Sequence, residues 1–227
     1  MNRPDQPDPA PALQFIIHRA TEDHCSYAEV ICSIIEESAR QRGTGIAKRD
    51  PEYIKAKMRE GKAVIALSDD GRFAGFCYIE TWEDRKYVAN SGLIVSPEFR
   101  KMHLAKRIKE AAFNLSREKY PDAKMFGITT SAAVLKINNE LGYRPAHFSE
   151  LTTDDAFWKG CEGCNNVDIL KRTNRTMCLC TGMLFDPAEA SRNAASAVHV
   201  QITMPEPLAT PLSPTSAPLS PSTESGS

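Results

Sequence analysis

Over residues 14–186 apolar and polar positions recur with two periods, and the switches between them predict the elements. The run Gly71-Arg72-Phe73-Ala74-Gly75-Phe76-Cys77-Tyr78-Ile79-Glu80-Thr81-Trp82 alternates as a half-buried strand does. It answers an apolar run at Lys62 to Leu67 across Ser68-Asp69-Asp70-Gly71, which predicts a hairpin, and Tyr87 to Val95 reads as the next antiparallel strand. Upstream, a strand at 14–19 precedes a helix from about Glu22 to Arg40. A second helix opens at Asp50-Pro51, an Asp cap followed by Pro at the first helical position. Downstream the pattern predicts a helix over 103–119, a strand over 124–129, a helix over 131–141 and further strands near 146–151 and 177–185. That order is the signature of an α/β (α+β) domain.

Both ends leave these periods. MNRPDQPDPAPAL has prolines but no apolar stretch of the secretory kind, so 1–13 reads as a flexible leader and the protein is expected in the cytoplasm. Residues 187–227 turn to Pro, Ser, Thr and Ala, which bury too little apolar surface to offset ordering entropy, so a disordered tail is expected. Its Ser-Pro repeats are either phosphorylation or SH3-type ligand sites or a low-complexity extension without such a role. The 227 residues suffice for one well-buried domain plus these extensions. A net charge of −1 supplies no basic face for nucleic acid or an anionic membrane, and no apolar run reaches membrane-spanning length. A small molecule is then the default partner.

Candidate chemistry concentrates at Val95-Ser96-Pro97-Glu98-Phe99-Arg100-Lys101-Met102-His103-Leu104-Ala105, where a strand runs through a basic turn into a helix. The first N–H groups of a helix lack intrahelical partners and carry the positive end of its dipole, so a diphosphate fits at Arg100 to Ala105. The alternative is an ordinary strand-turn-helix with a solvated basic start. The stretch resembles motif A of the GNAT superfamily of acyl-CoA-dependent N-acyltransferases, V-S-P-E-[FY]-[RQ]-x-x-G-x-[GA], which wraps the pyrophosphate of coenzyme A. Here Lys101 and His103 stand at positions usually held by glycine. A second landmark, Asn139-Glu140-Leu141-Gly142-Tyr143-Arg144-Pro145, is similar to the motif closing the superfamily's fourth helix.

The resemblance implies a GNAT fold, a mixed central sheet of about seven strands flanked by helices. It also implies acetyl-CoA or succinyl-CoA as acyl donor. Its pantetheine arm would run between splayed fourth and fifth strands, along Leu93, Ile94 and Val95, with the phosphates at Arg100, Lys101, Met102, His103, Leu104 and Ala105. The family's frequent tyrosine acid maps onto Asn138, which cannot donate a proton as an acid, and Tyr143 is expected to pack. Glu80 is the best carboxylate for a base and Glu83 the reserve; Glu80 is equally readable as the exposed residue of an alternating strand. Asn90, Ser91, Thr129, Thr130 and Ser131 are candidate polar contacts to acceptor or thioester, or else helix-cap groups. Arg42, Thr44, Lys48 and Arg49, in Arg42-Gly43-Thr44-Gly45-Ile46-Ala47-Lys48-Arg49, suit a carboxylated acceptor, because arginine grips carboxylates bidentately; a solvated connector is the other reading.

The combination of RGTGIAKR, FCYIE, NSGLIVSPE, LGY, SELTTD, FWKGC and CLCTGMLFDP resembles bacterial GNAT proteins of arginine biosynthesis, of the N-acetylglutamate-synthase type. This implies L-glutamate as acceptor; another amine, or a non-catalytic CoA-binding module, is the alternative. The family's closing strands often pair between subunits, which admits a homodimer. Four of the seven cysteines form Cys161-x-x-Cys164 and Cys178-x-Cys180. Two close pairs suit a structural zinc, while free cysteines packed as small hydrophobes or a redox disulfide are the competing readings.

Overall fold

The computed structural model describes residues 13–42 and 49–197. The leader, residues 43–48 and the tail beyond 197 lie outside them. The elements are β1 (Phe15–Arg19), α1 (Ala28–Arg42), α2 (Pro51–Arg59), β2 (Ala63–Ser68), β3 (Phe73–Trp82), β4 (Tyr87–Val95), α3 (Leu104–Lys119), β5 (Lys124–Thr129), α4 (Ala132–Glu140), β6 (Arg144–Ala146), α5 (Asp155–Lys159), α6 (Val167–Arg172), β7 (Thr181–Phe185) and α7 (Pro187–Ala197). Local chemistry sets several starts. The Asp50 side chain accepts from the Glu52 N–H with Pro51 next in line, and the Ser131 side chain accepts from the Val134 N–H to open α4.

One seven-stranded sheet runs in the order β1-β2-β3-β4-β5-β7-β6. β4 and β5 are parallel; the other neighbouring strands are antiparallel. Alternation along β3 sorts side chains between two cores rather than between core and water. Ala74, Cys77 and Ile79 pack with Leu104, Ile108, Ala112 and Leu115 of α3. Phe73, Phe76 and Tyr78 pack with Ile31 and Ile35 of α1 and Ile54 and Met58 of α2. The half-buried reading of β3 is therefore corrected: Phe73 to Ile79 are buried throughout, because helices cover both faces. Burial of each such Leu, Ile or Phe is worth about 1.5–3 kcal/mol.

Other boundaries move as well. The first predicted helix opens as a 3-10 turn over Glu22–Tyr27 before α1. The strand expected at 146–151 is the shorter β6, followed by a 3-10 turn at Phe148–Glu150, and Met177 to Cys180 are irregular chain leading into β7. The beginning of the expected tail is helix α7. Asp186 opens it by accepting from the Ala188 N–H at 2.9 Å, and Glu189 pairs with Arg144 at 3.0 Å. Among the described residues no helix is long and apolar enough to cross a membrane.

Candidate active site

Residue pairing between β4 and β5 is confined to Tyr87–Lys124, Val88–Met125 and Ala89–Phe126. From there β5 continues against β7 and β4 against β3, so the two strands part into a wedge. β4 also bulges: Phe76 faces Ile94 but Tyr78 faces Ser91, which leaves β4 one residue longer than β3. Gly92 sits in the bulge at φ 65°, where a Cβ would lie 2.6 Å from the Tyr78 ring. No other residue fits there without displacing that ring. The Ser96 N–H bonds the Ala74 carbonyl at 2.9 Å, so strand alternation turns the polar backbone of Ile94 toward β3 and that of Leu93 and Val95 toward the wedge. Of the three backbone positions expected along the donor's arm, Leu93 and Val95 face it and Ile94 does not.

The wedge leads to a cavity of about 420 Å³ between the N-terminus of α3 and the side of α4. Val95, Arg100, Lys101, His103 and Ala105 line one wall, and Lys136 and Ile137 the other. Lys101 (φ 68°) and His103 (φ 57°) both adopt the left-handed backbone that glycine favours. The chain thus keeps a glycine-type loop while carrying side chains in it, at a cost of roughly 1–2 kcal/mol per residue. Arg100 Nη2 donates to Ser38 Oγ on α1 at 3.4 Å. Leu104 is 1% exposed and contributes core packing, leaving its backbone N–H to the helix end. Met102 is 47% exposed and does not line this cavity.

On the opposite face, Glu80 sits under α2. Lys57 Nζ donates to Oε1 at 2.7 Å, and the Tyr53 hydroxyl donates to Oε2. Burial pushes the Glu80 carboxyl up to about 7, against the pull of the Arg49 charge and the Thr81 N–H. Burial likewise lowers Lys57. Arg49 Nε donates to the Tyr78 hydroxyl at 2.6 Å, and the Tyr53 and Tyr78 rings meet edge to face at 5.8 Å. Sequence reasoning found Glu80 and Arg49 but missed Tyr53, Lys57 and Tyr78. The available signal was the i,i+4 pair Tyr53 and Lys57, which shares one face of the helix opened by Asp50-Pro51.

Residues 28–133 match the family model described as Acetyltransferase (GNAT) family. The chain carries a GNAT acetyltransferase domain. Its fold is shared with solved structures at low identity. N-acetylglutamate synthase from Neisseria gonorrhoeae, solved with coenzyme A and N-acetyl-glutamate, is 18% identical with a TM-score of 0.55 over 76% of this chain and 35% of that one. The Rv2747 protein of Mycobacterium tuberculosis, solved with CoA, is 12% identical with a TM-score of 0.53 over 75% and 98%. A phosphinothricin acetyltransferase from Sinorhizobium meliloti, solved with AcCoA, is 14% identical with a TM-score of 0.51 over 76% and 88%. The chain thus spans about a third of the length of the gonococcal enzyme and most of the other two. No curated protein sequence matched it.

The remaining expected residues divide around this GNAT domain. Asn90 is on the α3 face: its Nδ2 donates to Ser116 Oγ at 2.7 Å and its Oδ1 accepts from the Tyr143 hydroxyl at 3.3 Å. That separates it from Glu80, which the α2 side chains hold on the other face. Thr129 Oγ1 accepts from the Ser131 N–H at 3.0 Å, which is cap chemistry at the start of α4. Glu83 lies in the β3–β4 turn, and its Oε1 accepts from the Thr153 N–H at 2.6 Å, which ties that turn to the segment before α5. Of the expected acceptor loop, Arg49 is described; the Arg42 side chain, Thr44 and Lys48 lie outside the described residues. Asn138, just past the family match, is 3% exposed and its Oδ1 has no partner. Tyr143 is 2% exposed, and burial raises its hydroxyl further from any acid role.

Cys161, Cys164, Cys178 and Cys180 surround one cavity of about 20 Å³ together with Ile128, Phe148, Val167 and Leu170. Among the described residues, however, no group of three or more His, Cys, Asp or Glu side chains is placed to hold a metal ion. The zinc expectation is accordingly not upheld. The surroundings are apolar, and burial pushes Cys161 up to about 11 and Cys180 up to about 12, so they stand as packed neutral thiols.

Proposed function

We propose that the chain is an acyl-CoA-dependent N-acyltransferase that moves an acetyl or succinyl group to the amine of a small acceptor, the α-amine of L-glutamate, and so serves arginine biosynthesis. The observation that carries the reading is the parted, bulged β4 opening onto a basic cavity at the start of α3. The residues present fit a CoA thioester. Leu93 and Val95 offer unpaired strand backbone, and Arg100, Lys101 and Lys136 offer cations beside free helix N–H groups. Bound acyl-CoA would supply the thioester carbon that the amine attacks.

Glu80 is the base in this reading. An amine attacks only when deprotonated, and a carboxyl near 7 is matched to taking that proton at neutral pH, directly or through a water. The new N–C bond replaces the C–S bond, the amine's proton passes to Glu80 and on to solvent, and the departing thiolate takes a proton from water. No side-chain acid is required, since a thiol is acidic enough to leave as its anion. Glutamate is favoured over a polyamine because Arg49 stands beside Glu80 and the expected acceptor loop is basic. The fold of the gonococcal synthase adds support.

The test is thiol release by the purified chain with acetyl-CoA or succinyl-CoA, each with and without L-glutamate, and with polyamine or peptide amines as competing acceptors. Glutamate-dependent release identifies acceptor and donor together. Release only with another amine keeps the acyltransferase and overturns glutamate. Tight CoA binding without turnover on any amine overturns the acyltransferase reading in favour of a regulatory CoA-binding module.

A further inference from the structure

Both oxygens of the Glu80 carboxylate are taken by side chains of one helix, α2. Tyr53 and Lys57 are one helical turn apart on α2, and each meets a different oxygen. The contact is enclosed: the Lys57 side chain is 11% exposed and that of Glu80 17%. Lys57 Nζ also lies 4.8 Å from the Tyr53 ring centroid, so the two donors support each other as well as the acid. An isolated buried carboxyl would take up a proton, and a hydrogen-bonded cation at its edge is what opposes that.

We propose that Lys57 and Tyr53 are positioning residues that hold the Glu80 carboxylate ionised and aimed, so that α2 sets the pH range over which the base works. The proposal rests on the acyltransferase reading with Glu80 as base. Two lone-pair sites on each oxygen leave room for the acceptor's proton or a bridging water while both donors stay in place. The groups facing Glu80 are Lys57 and Tyr53 from α2, Arg49 from the segment before it, Tyr78 from β3 and the Thr81 N–H. Lys57 in turn feels Glu60 and Lys62. Lys57 hydrogen-bonds Glu80 directly, and the Arg49 charge, whose Nε donates to the Tyr78 hydroxyl, also favours the ionised carboxylate.

The experiment compares wild type with Lys57→Met, Lys57→Arg and Tyr53→Phe across pH. It reads kcat/KM, KM for acyl-CoA, and the midpoint of the Glu80 carboxyl followed by carbon NMR in labelled protein without any substrate. Loss of the ammonium must move the acid limb and the NMR midpoint upward by about one pH unit, hence lower kcat/KM at pH 7 by up to about tenfold, with recovery at higher pH. Lys57→Arg keeps the charge and is expected to restore the wild-type limb. Tyr53→Phe moves it the same way by less, and KM for acyl-CoA stays put because the α3 cavity is untouched. An unmoved limb and midpoint in Lys57→Met would overturn the proposal. Should that variant fail to fold, Tyr53→Phe with an unmoved midpoint does so. The NMR arm needs no turnover, so it separates failure of this inference from failure of the acyltransferase reading.

Discussion

The two faces of the sheet at β4 solve opposite electrostatic problems. On the α3 face the chain leaves polar groups open: helix N–H groups, strand backbone at Leu93 and Val95, and cations around a cavity of about 420 Å³. On the α2 face it closes them, with Glu80 enclosed by Lys57 and Tyr53 and Tyr78 bonded to Arg49. Open, solvated cations suit a polyanion that brings its own charge. A closed carboxylate suits a proton, which is small enough to enter and whose affinity burial can tune. The strain falls on the open side too, at Lys101 and His103.

Glu80→Gln is the sharpest cut between the faces. It removes the proton acceptor while keeping shape, and is expected to lower kcat/KM by about 10²–10⁴-fold, the range of general-base catalysis. CoA binding, measured by calorimetry, should be unchanged. In wild type the same group makes kcat/KM fall as pH drops through about 7, because the carboxyl is protonated on the acid side and cannot accept. Loss of CoA binding in Glu80→Gln would mean that the faces are not separable in this way.

Gly92 joins the faces, and its substitution is the next largest effect. Its φ of 65°, and a Tyr78 ring that would stand 2.6 Å from any added Cβ, penalise Gly92→Val twice. A cost of about 1–3 kcal/mol follows from the backbone alone. With Tyr78 displaced, the Arg49 contact and the packing under α1 loosen while the β4 edge changes course. Both CoA affinity and turnover should fall, together with Tm in a calorimetric scan. A variant that lost only one of the two would show that the bulge serves one face.

Much of this was legible in sequence because caps, turns and alternation are local. Asp50-Pro51, Ser68-Asp69-Asp70-Gly71 and the strand-to-helix junction at Ser96-Pro97 each declare an element within a few residues. The seven strands and the GNAT fold followed from those signals and the motif. Tertiary partners were not legible in the same way. Asn90 looked like a residue free to meet a substrate, yet Tyr143 and Ser116, 53 and 26 residues away, claim its amide. Nothing local to Lys57 shows that β3 brings Glu80 beneath it. The cysteine spacing likewise suggested a metal, whereas Cys178 and Cys180 lie in irregular chain and the four thiols pack among Ile128, Phe148, Val167 and Leu170.

The smallest expected effect comes from relieving the open side. His103 is the N-cap of α3, makes no side-chain capping bond there, and holds φ at 57°. Replacing it tests two separable properties, the Cβ that strains the backbone and the imidazole that lines the cavity. His103→Ala removes only the ring; His103→Gly removes both. Glycine gains roughly 1–2 kcal/mol in the left-handed region and loses about 0.4–1 kcal/mol through the freer unfolded chain. A net gain near 1 kcal/mol over alanine should raise Tm by about 2–4 °C in a chain of this size. If backbone strain also limits how closely the loop meets a phosphate, His103→Gly binds CoA more tightly than His103→Ala. Equal affinities, both weaker than wild type, would instead assign the loop's grip to the imidazole. The basic side chains would then have replaced glycine as the means of holding the anion.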